Sequence, residues 1–309
     1  MPNFKIDQKK LVFEIKTNNT QELVRTTKQW IHLMNKRQCE TDFMLLQQSL
    51  RQIHKDANAS AMYNFGPTVM RMLHYLNLPD HALKLNHDLQ IGHLFDQLSC
   101  TLILCDMLFN NAMYKEILQV LQKKRSFLEK KGMIQSRFQN YVTFAACYKL
   151  NTKDSLDYGL EIYKNLVKEH QLSQSMNFLA MLAINQDQPA TALDVLVVPD
   201  RHFSSINVRL IALSDCGQYA ESSEIVKNIL NDTQLRSHRI SEHVIQRIRD
   251  SLDRHPSTED AVHYNNLLNE LQQQMRTSKV TIDEMLCWPL NANWQSKDKM
   301  KTPKASQSE

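Results

Sequence analysis

One pattern recurs five times along this chain: a turn of polar residues or proline, then a helix that opens on a small or polar residue followed by spaced apolar side chains. It reads Asp80-His-Ala-Leu-Lys-Leu85, Lys115-Glu-Ile-Leu-Gln-Val120, Asp157-Tyr-Gly-Leu-Glu-Ile162, Ala190-Thr-Ala-Leu-Asp-Val195 and Ala220-Glu-Ser-Ser-Glu-Ile225. Anchored on Ala82, Ile117, Gly159, Ala192 and Ser222, the steps are 35, 42, 33 and 30 residues and average 35. A helix pair of about 34 residues cannot cover its own apolar face, so such pairs stack into an α-solenoid whose stability comes from neighbour contacts. In the third unit Ser155 anchors the pattern as well as Gly159 does, and the register there stays open. Pro79, Asn110-Asn111, Asn151-Thr152, Asp187 to Pro189 and Gly217 fall where the turns within the pairs must be.

Apolar residues spaced by three and four, without sustained alternation, predict an all-α chain with helices from about residue 20 to residue 287. The expected organisation is an extension over residues 1–19, an N-terminal capping helix pair over 20–57, about five repeats over 58–232, C-terminal capping helices over 235–288, and a disordered basic tail over 289–309. The first cap holds helices over 20–36 and 41–56. The closing helices run from Ser241 to Arg254 and from Ser257 to Met275, each opening on a serine cap with an acid in its first turn. The tail is disordered in this reading because it has almost no apolar side chains to bury.

Composition excludes several chemistries. Five glycines leave little material for phosphate-cradling loops. The six cysteines lack C-x-x-C spacing and lie mostly in apolar helical stretches, which argues for free thiols in a reducing compartment. His81, His87 and His93 are six apart, so they do not share a helical face as metal ligands would. Glu259-Asp260 and Asp283-Glu284 sit at helix starts, where acids complement the dipole. With no convergent nucleophile, base and orienting group, the expectation is a non-enzymatic protein with no cofactor, no metal and no small-molecule substrate. No apolar run approaches the ~18 residues that span a bilayer. Residues 1–30 hold five lysines, one arginine and three acids, so no transit-peptide pattern is visible.

Charge is more telling. The formal net charge is +4, yet residues 115–137 contain Lys115, Lys123, Lys124, Arg125, Lys130, Lys131 and Arg137 against Glu116 and Glu129, a local excess of +5. A basic ridge on a helical repeat suits phosphate contacts. The competing reading is a solvated helix end whose cations answer the dipole.

In two units the motif resembles the pentatricopeptide repeat. Ile206-Asn207 opens a first helix, Gly217 follows, then Ser222; Met176-Asn177 stands 15 residues before Ala192, the offset of Asn207 from Ser222. Tyr63-Asn-Phe-Gly-Pro67, Leu104-Cys-Asp-Met-Leu-Phe109, Tyr114 to Leu121, Phe144-Ala-Ala-Cys-Tyr-Lys-Leu-Asn151 and Val280-Thr-Ile-Asp-Glu-Met-Leu-Cys287 look similar to mitochondrial members of that family, over roughly residues 60–288. The resemblance implies a right-handed superhelix of antiparallel helix pairs in the mitochondrial matrix. It further implies binding of single-stranded mitochondrial RNA, a part in RNA maturation and mRNA processing that serves the respiratory chain, and contacts with other RNA-processing or ribosomal proteins. It places Asn177 and Asn207 at base-reading positions, an amide offering both donor and acceptor. Counting back 15 from Ala82 and Ile117 lands on Pro67 and Leu102, which read no base edge. Tetratricopeptide repeats share the period and bind proteins, so a protein-binding scaffold is the alternative.

Overall fold

The computed structural model describes residues 2–34, 40–130, 136–166, 173–197, 202–231, 239–254, 258–287 and 290. Of the expected tail over 289–309 only Leu290 is among them, and it is buried; the rest lies outside the described residues, as does Ser257. The described residues are almost all helical and divide into two compact units, Met1–Met113 and Tyr114–Glu309.

The first unit holds α1 (Pro2–Thr17), α2 (Thr20–Leu33), α3 (Glu40–Lys55), α4 (Ala57–Met62), α5 (Phe65–Leu76), α6 (Pro79–Asn86), a 3₁₀ turn (Gly92–Phe95) and α7 (Leu98–Asn110). Residues 1–19, expected to be a mere extension, carry a helix of their own. It packs on α2 and α3, burying Leu11 and setting the Glu14 carboxylate against the Thr26 hydroxyl at 2.9 Å. The sequence signal was weak because this helix lacks a broad apolar stripe: its few buried positions are spread among lysines and exposed residues. Elsewhere in the unit burial is one-sided. On α5 the inward residues are Phe65, Gly66, Val69, Met70, Leu73 and Leu76, the spacing of one helical face.

The second unit holds α8 (Tyr114–Lys130), α9 (Arg137–Leu150), α10 (Lys153–Lys164), α11 (Ser173–Asn185), α12 (Pro189–Val195), α13 (Phe203–Asp215), α14 (Tyr219–Asn231), α15 (Glu242–Arg254), α16 (Glu259–Gln273) and α17 (Ile282–Cys287). A feature the all-helical reading omitted is a two-residue parallel pair, β1 (Ile240–Ser241) with β2 (Thr277–Ser278), in register Ile240 to Thr277. Ser241 therefore does not cap α15: its hydroxyl donates to the Val280 carbonyl at 2.7 Å. Thr258 caps α16 by accepting from the Ala261 N–H.

The turns explain the period. Asn77, Ala112, Asn151, Asp187 and Gly217 all have positive φ, the left-handed residue that ends a helix. At four of them an N–H reaches back to a carbonyl five residues earlier, Leu78 to Leu73, Met113 to Leu108, Gln188 to Ala183 and Gln218 to Leu213. These are Schellman closures, which satisfy carbonyls a helix end would leave orphaned. The fourth residue of each following helix is then Ala82, Ile117, Leu156, Ala192 or Ser222, all fully buried. The third unit's register thus lies on Leu156, one residue past Ser155. Gly159 serves the packing instead, since a Cβ there would sit 2.7 Å from Leu179 Cδ1; its bare backbone admits the next first helix. In the second unit these first helices pack in series, α9 on α11, α11 on α13 and α13 on α15. Adjacent turns are tied as well, Gln186 donating to the Asn151 side chain and carbonyl at 3.0 and 3.1 Å. The fold is an all-α helical repeat with the features of a solenoid.

Candidate nucleic-acid interface

The two expected base-reading amides are not at a surface. Asn177 on α11 is 1% exposed and donates to the hydroxyls of Ser204 and Ser205 on the next first helix, at 3.2 and 2.8 Å. Asn207 on α13 is 0% exposed; its Nδ2 donates to the carbonyls of Phe203 and Arg239, and its Oδ1 accepts from the Ser241 N–H at 2.8 Å. Both amides therefore join one repeat to the next, and neither presents an edge to a base in this structure. The physical reason is that a polar group between stacked helices needs partners of its own: Asn207 finds them for both its amide atoms and Asn177 for its Nδ2, while the Asn177 Oδ1 is buried without one. Nothing in the one-dimensional pattern separates an amide that faces a groove from one that faces a neighbour.

The basic cluster fares differently residue by residue. α8 and α9 form one hairpin, packed on each other, so the last turn of α8 and the first of α9 lie at the same end. Ile117, Val120 and Leu121 face inward from α8. Lys123 and Lys130, two turns apart, share its exposed outer face with Lys115. Arg137 is exposed at the start of α9. Lys124 is half-buried, with its ammonium 5.8 Å from the Phe127 ring centre. Arg125 turns inward and donates to the Asn140 side chain at 2.9 Å, which makes it part of the hairpin joint. Lys131 lies outside the described residues.

Elsewhere among the described residues some cations meet acids and others, such as Lys55, Arg71 and Lys153, do not. Lys10 pairs with Glu22, Arg51 with Asp88, Arg209 with Glu221, and Arg247 and Arg254 both with Asp215. Among the described residues no carboxylate lies at ion-pair distance from Lys115, Lys123, Lys130 or Arg137. The dipole accounts for cations in the last turn of α8, but not for Arg137 in the first turn of α9, where an acid would be favoured and none is present. The hairpin also exposes Phe127 (42%) and Phe138 (64%), which the charge reading passed over. Their signal was in the sequence: aromatic residues interleaved with cations, a combination that lets bases stack while phosphates are neutralised.

Titratable groups elsewhere argue for packing rather than chemistry. Burial raises the thiols of Cys105 and Cys147 to about 12, leaving them protonated and unreactive. His81 bonds Glu40 and His93 bonds His54, at 2.9 and 3.3 Å, as separate contacts. Among the described residues no group of three histidines, cysteines or acids is placed to hold a metal ion, and no helix is long and apolar enough to cross a membrane.

No family model matches the chain. Curated relatives do. A Mus musculus protein is 26% identical over 233 residues, covering 73% of this chain and 59% of its own length. A Pongo abelii protein is 32% identical over 155 residues, covering 48% and 39%. A Danio rerio protein is 24% identical over 273 residues, covering 83% and 68%. Each is named "Pentatricopeptide repeat-containing protein 2, mitochondrial". The chain spans about three fifths of the length of the Mus musculus relative it matches, 59%.

Proposed function

We propose that this chain, similar over 73% of its length to a mitochondrial pentatricopeptide repeat-containing protein, is a non-catalytic binder of single-stranded RNA in the mitochondrial matrix. In this reading it assists maturation and processing of mitochondrial transcripts, and through them the respiratory chain. The observation that carries the proposal is the α8–α9 hairpin, where Lys123, Lys130 and Arg137 stand without acidic partners toward the end that also exposes the rings of Phe127 and Phe138, with Lys115 further back on α8. Cations neutralise phosphates and release counterions, while rings stack on bases whatever their identity. With Asn177 and Asn207 buried, recognition through this hairpin follows the backbone and base faces more than base edges.

The test is binding of the full chain to mixed-sequence single-stranded RNA across a salt series. Replacing Lys123, Lys130 and Arg137 together with alanine is expected to weaken binding and to lower the slope of log affinity on log salt by about 2, at about 0.7 per lost phosphate contact. Affinity that the triple variant leaves unchanged sinks the hairpin as the interface. A second reading, a scaffold for a protein partner, is favoured by the burial of the two amides. A partner that stays bound after nuclease treatment, with no RNA affinity, decides for it.

A further inference from the structure

Helix α8 is held unevenly along its length. Its first half buries Ile117, Val120 and Leu121, whereas from Gln122 to Lys130 no residue is buried. A stretch that short does not hold a helix by itself. It depends on continuity with the first half and on slight ties, such as the Arg125 hydrogen bond to Asn140. Helical turns with few buried apolar contacts open locally at low cost while the rest of the fold stays closed.

Ser126 stands in the middle of this stretch. Its side chain is exposed, and the hydroxyl donates to the Gln122 carbonyl of its own helix at 3.1 Å. Lys123, Lys124 and Arg125 come directly before it and Phe127 directly after, and no other serine or threonine of the chain follows three consecutive cations. Lys123 lies three residues before Ser126 and Lys130 four after, so the hydroxyl and both ammonium groups share one exposed face. Glu129, three residues on, is the acid nearest in sequence.

We propose that Ser126 is a phosphorylation site for a serine kinase that selects basic surroundings, and that its phosphate turns off RNA binding by the α8–α9 hairpin. A kinase whose substrate groove is lined with carboxylates chooses a hydroxyl by the cations just before it, and the ring of Phe127 supplies an apolar contact just after. Such a groove takes an extended chain, which the weakly held half of α8 provides by opening. The Ser126 Oγ attacks the γ-phosphorus of ATP, the bond from that phosphorus to the β–γ bridging oxygen breaks and ADP leaves; the hydroxyl proton passes to the kinase's catalytic carboxylate. The new group carries a charge of about −1.5 to −2 at neutral pH. Between Lys123 and Lys130 it gives these cations an internal partner in place of RNA phosphates and repels an arriving strand. Glu129 and the carbonyl end of α8 disfavour the phosphate, and the flanking lysines offset them. The switch rests on the RNA-binding reading above; the modification itself does not.

The experiment treats the full chain with the catalytic domain of a basic-directed serine kinase and magnesium ATP. Peptide mass mapping locates the phosphate, and affinity for single-stranded oligouridylate is measured before and after. A serine kinase that selects acidic surroundings is the control and should leave Ser126 unmodified. Replacing Lys123 and Lys124 together with alanine should slow modification of Ser126 by about tenfold. The phosphorylated chain should bind RNA about tenfold more weakly near 0.15 M salt, with the salt slope lower by about 1.4, the effect of two lost phosphate contacts. Phosphatase treatment should restore both. Ser126→Ala should bind RNA as wild type does and keep that affinity after kinase treatment. A Ser126 that stays unmodified overturns the site. Phosphorylation at Ser126 with unchanged affinity overturns the switch, and the hairpin reading stands if the Lys123, Lys130 and Arg137 variant still weakens binding. Equal loss of affinity in wild type and Ser126→Ala also overturns it, because phosphates elsewhere are then responsible. An untreated chain that binds no RNA removes the proposed function and the switch together, and the mapping alone then decides the site.

Discussion

The first helices of the two units are buried in different ways, and the difference separates what a repeat needs from what this chain adds. In the first unit α5 and α7 bury one side and expose residues such as Tyr75 and Asn110 from the other. In the second unit α9, α11 and α13 have no exposed side over most of their length. The first pattern is that of an amphipathic helix at a surface, the second that of a helix inside a core. Repeat stacking alone accounts for the first. The second requires a further layer, and the strand pair, Asn207 and α17 supply it.

The contrast can be broken or sharpened by experiment. The largest effect on stability is expected from Phe178→Ala, which empties the aromatic cluster on α11. A cost of about 3–5 kcal/mol in denaturant unfolding is expected, and a cost below about 1 kcal/mol would mean α11 is not central. Asn207→Ala should cost about 2–4 kcal/mol, because the Arg239 carbonyl and Ser241 N–H lose their buried partner. It should also raise hydrogen exchange at β1 and leave the salt slope of RNA binding unchanged. A changed slope would return Asn207 to the interface.

The third test belongs to the first unit. Burial opposes ionisation of Asp88, but hydrogen bonds from Arg51, the Gln90 N–H, Gln47 and the Ile91 N–H outweigh it and hold the carboxyl at about 2, below its ordinary 3.8. Because the folded value lies below the unfolded one, the group stabilises the fold at neutral pH. That contribution, about 2 kcal/mol, is lost as pH falls from about 4 through 2. Asp88→Asn should weaken the unit at pH 7 and remove this part of its acid sensitivity, read by amide exchange on α3 and α6. The smallest stability effect is expected from the Lys123, Lys130 and Arg137 triple alanine variant, within about 0.5 kcal/mol of wild type, since these side chains lie on an exposed face. A larger loss would make the basic hairpin structural.

Most of the repeat was legible because its causes are local. Left-handed turn residues, prolines at the first position of α6 and α12, and a small or apolar fourth residue are short-range requirements that leave a mark in the sequence. The register of the third unit was harder, since Ser155, Leu156 and Gly159 are all buried on α10 and only the turn at Asn151 decides among them. Helix α1 was missed because its buried positions include Glu14, which looks solvent-exposed until Thr26 is brought to it. The site was legible in part. The lysines of α8 could be read as an exposed cluster from helical spacing, whereas Arg125 could not be told from them, its partner Asn140 lying on the next helix.

By itself the sequence determined the helix-pair period, the places of the turns and the concentration of positive charge, all set by backbone geometry and side-chain type over a few residues. Tertiary structure alone decided which polar groups would be spent inside. Asn177 and Asn207 have the chemistry to read a base or to hold a neighbouring helix, and the choice depends on what packs across from them. Asp283 and Lys149 are 134 residues apart, and only the folding of the C-terminal segment onto α9, α11 and α13 makes them a pair.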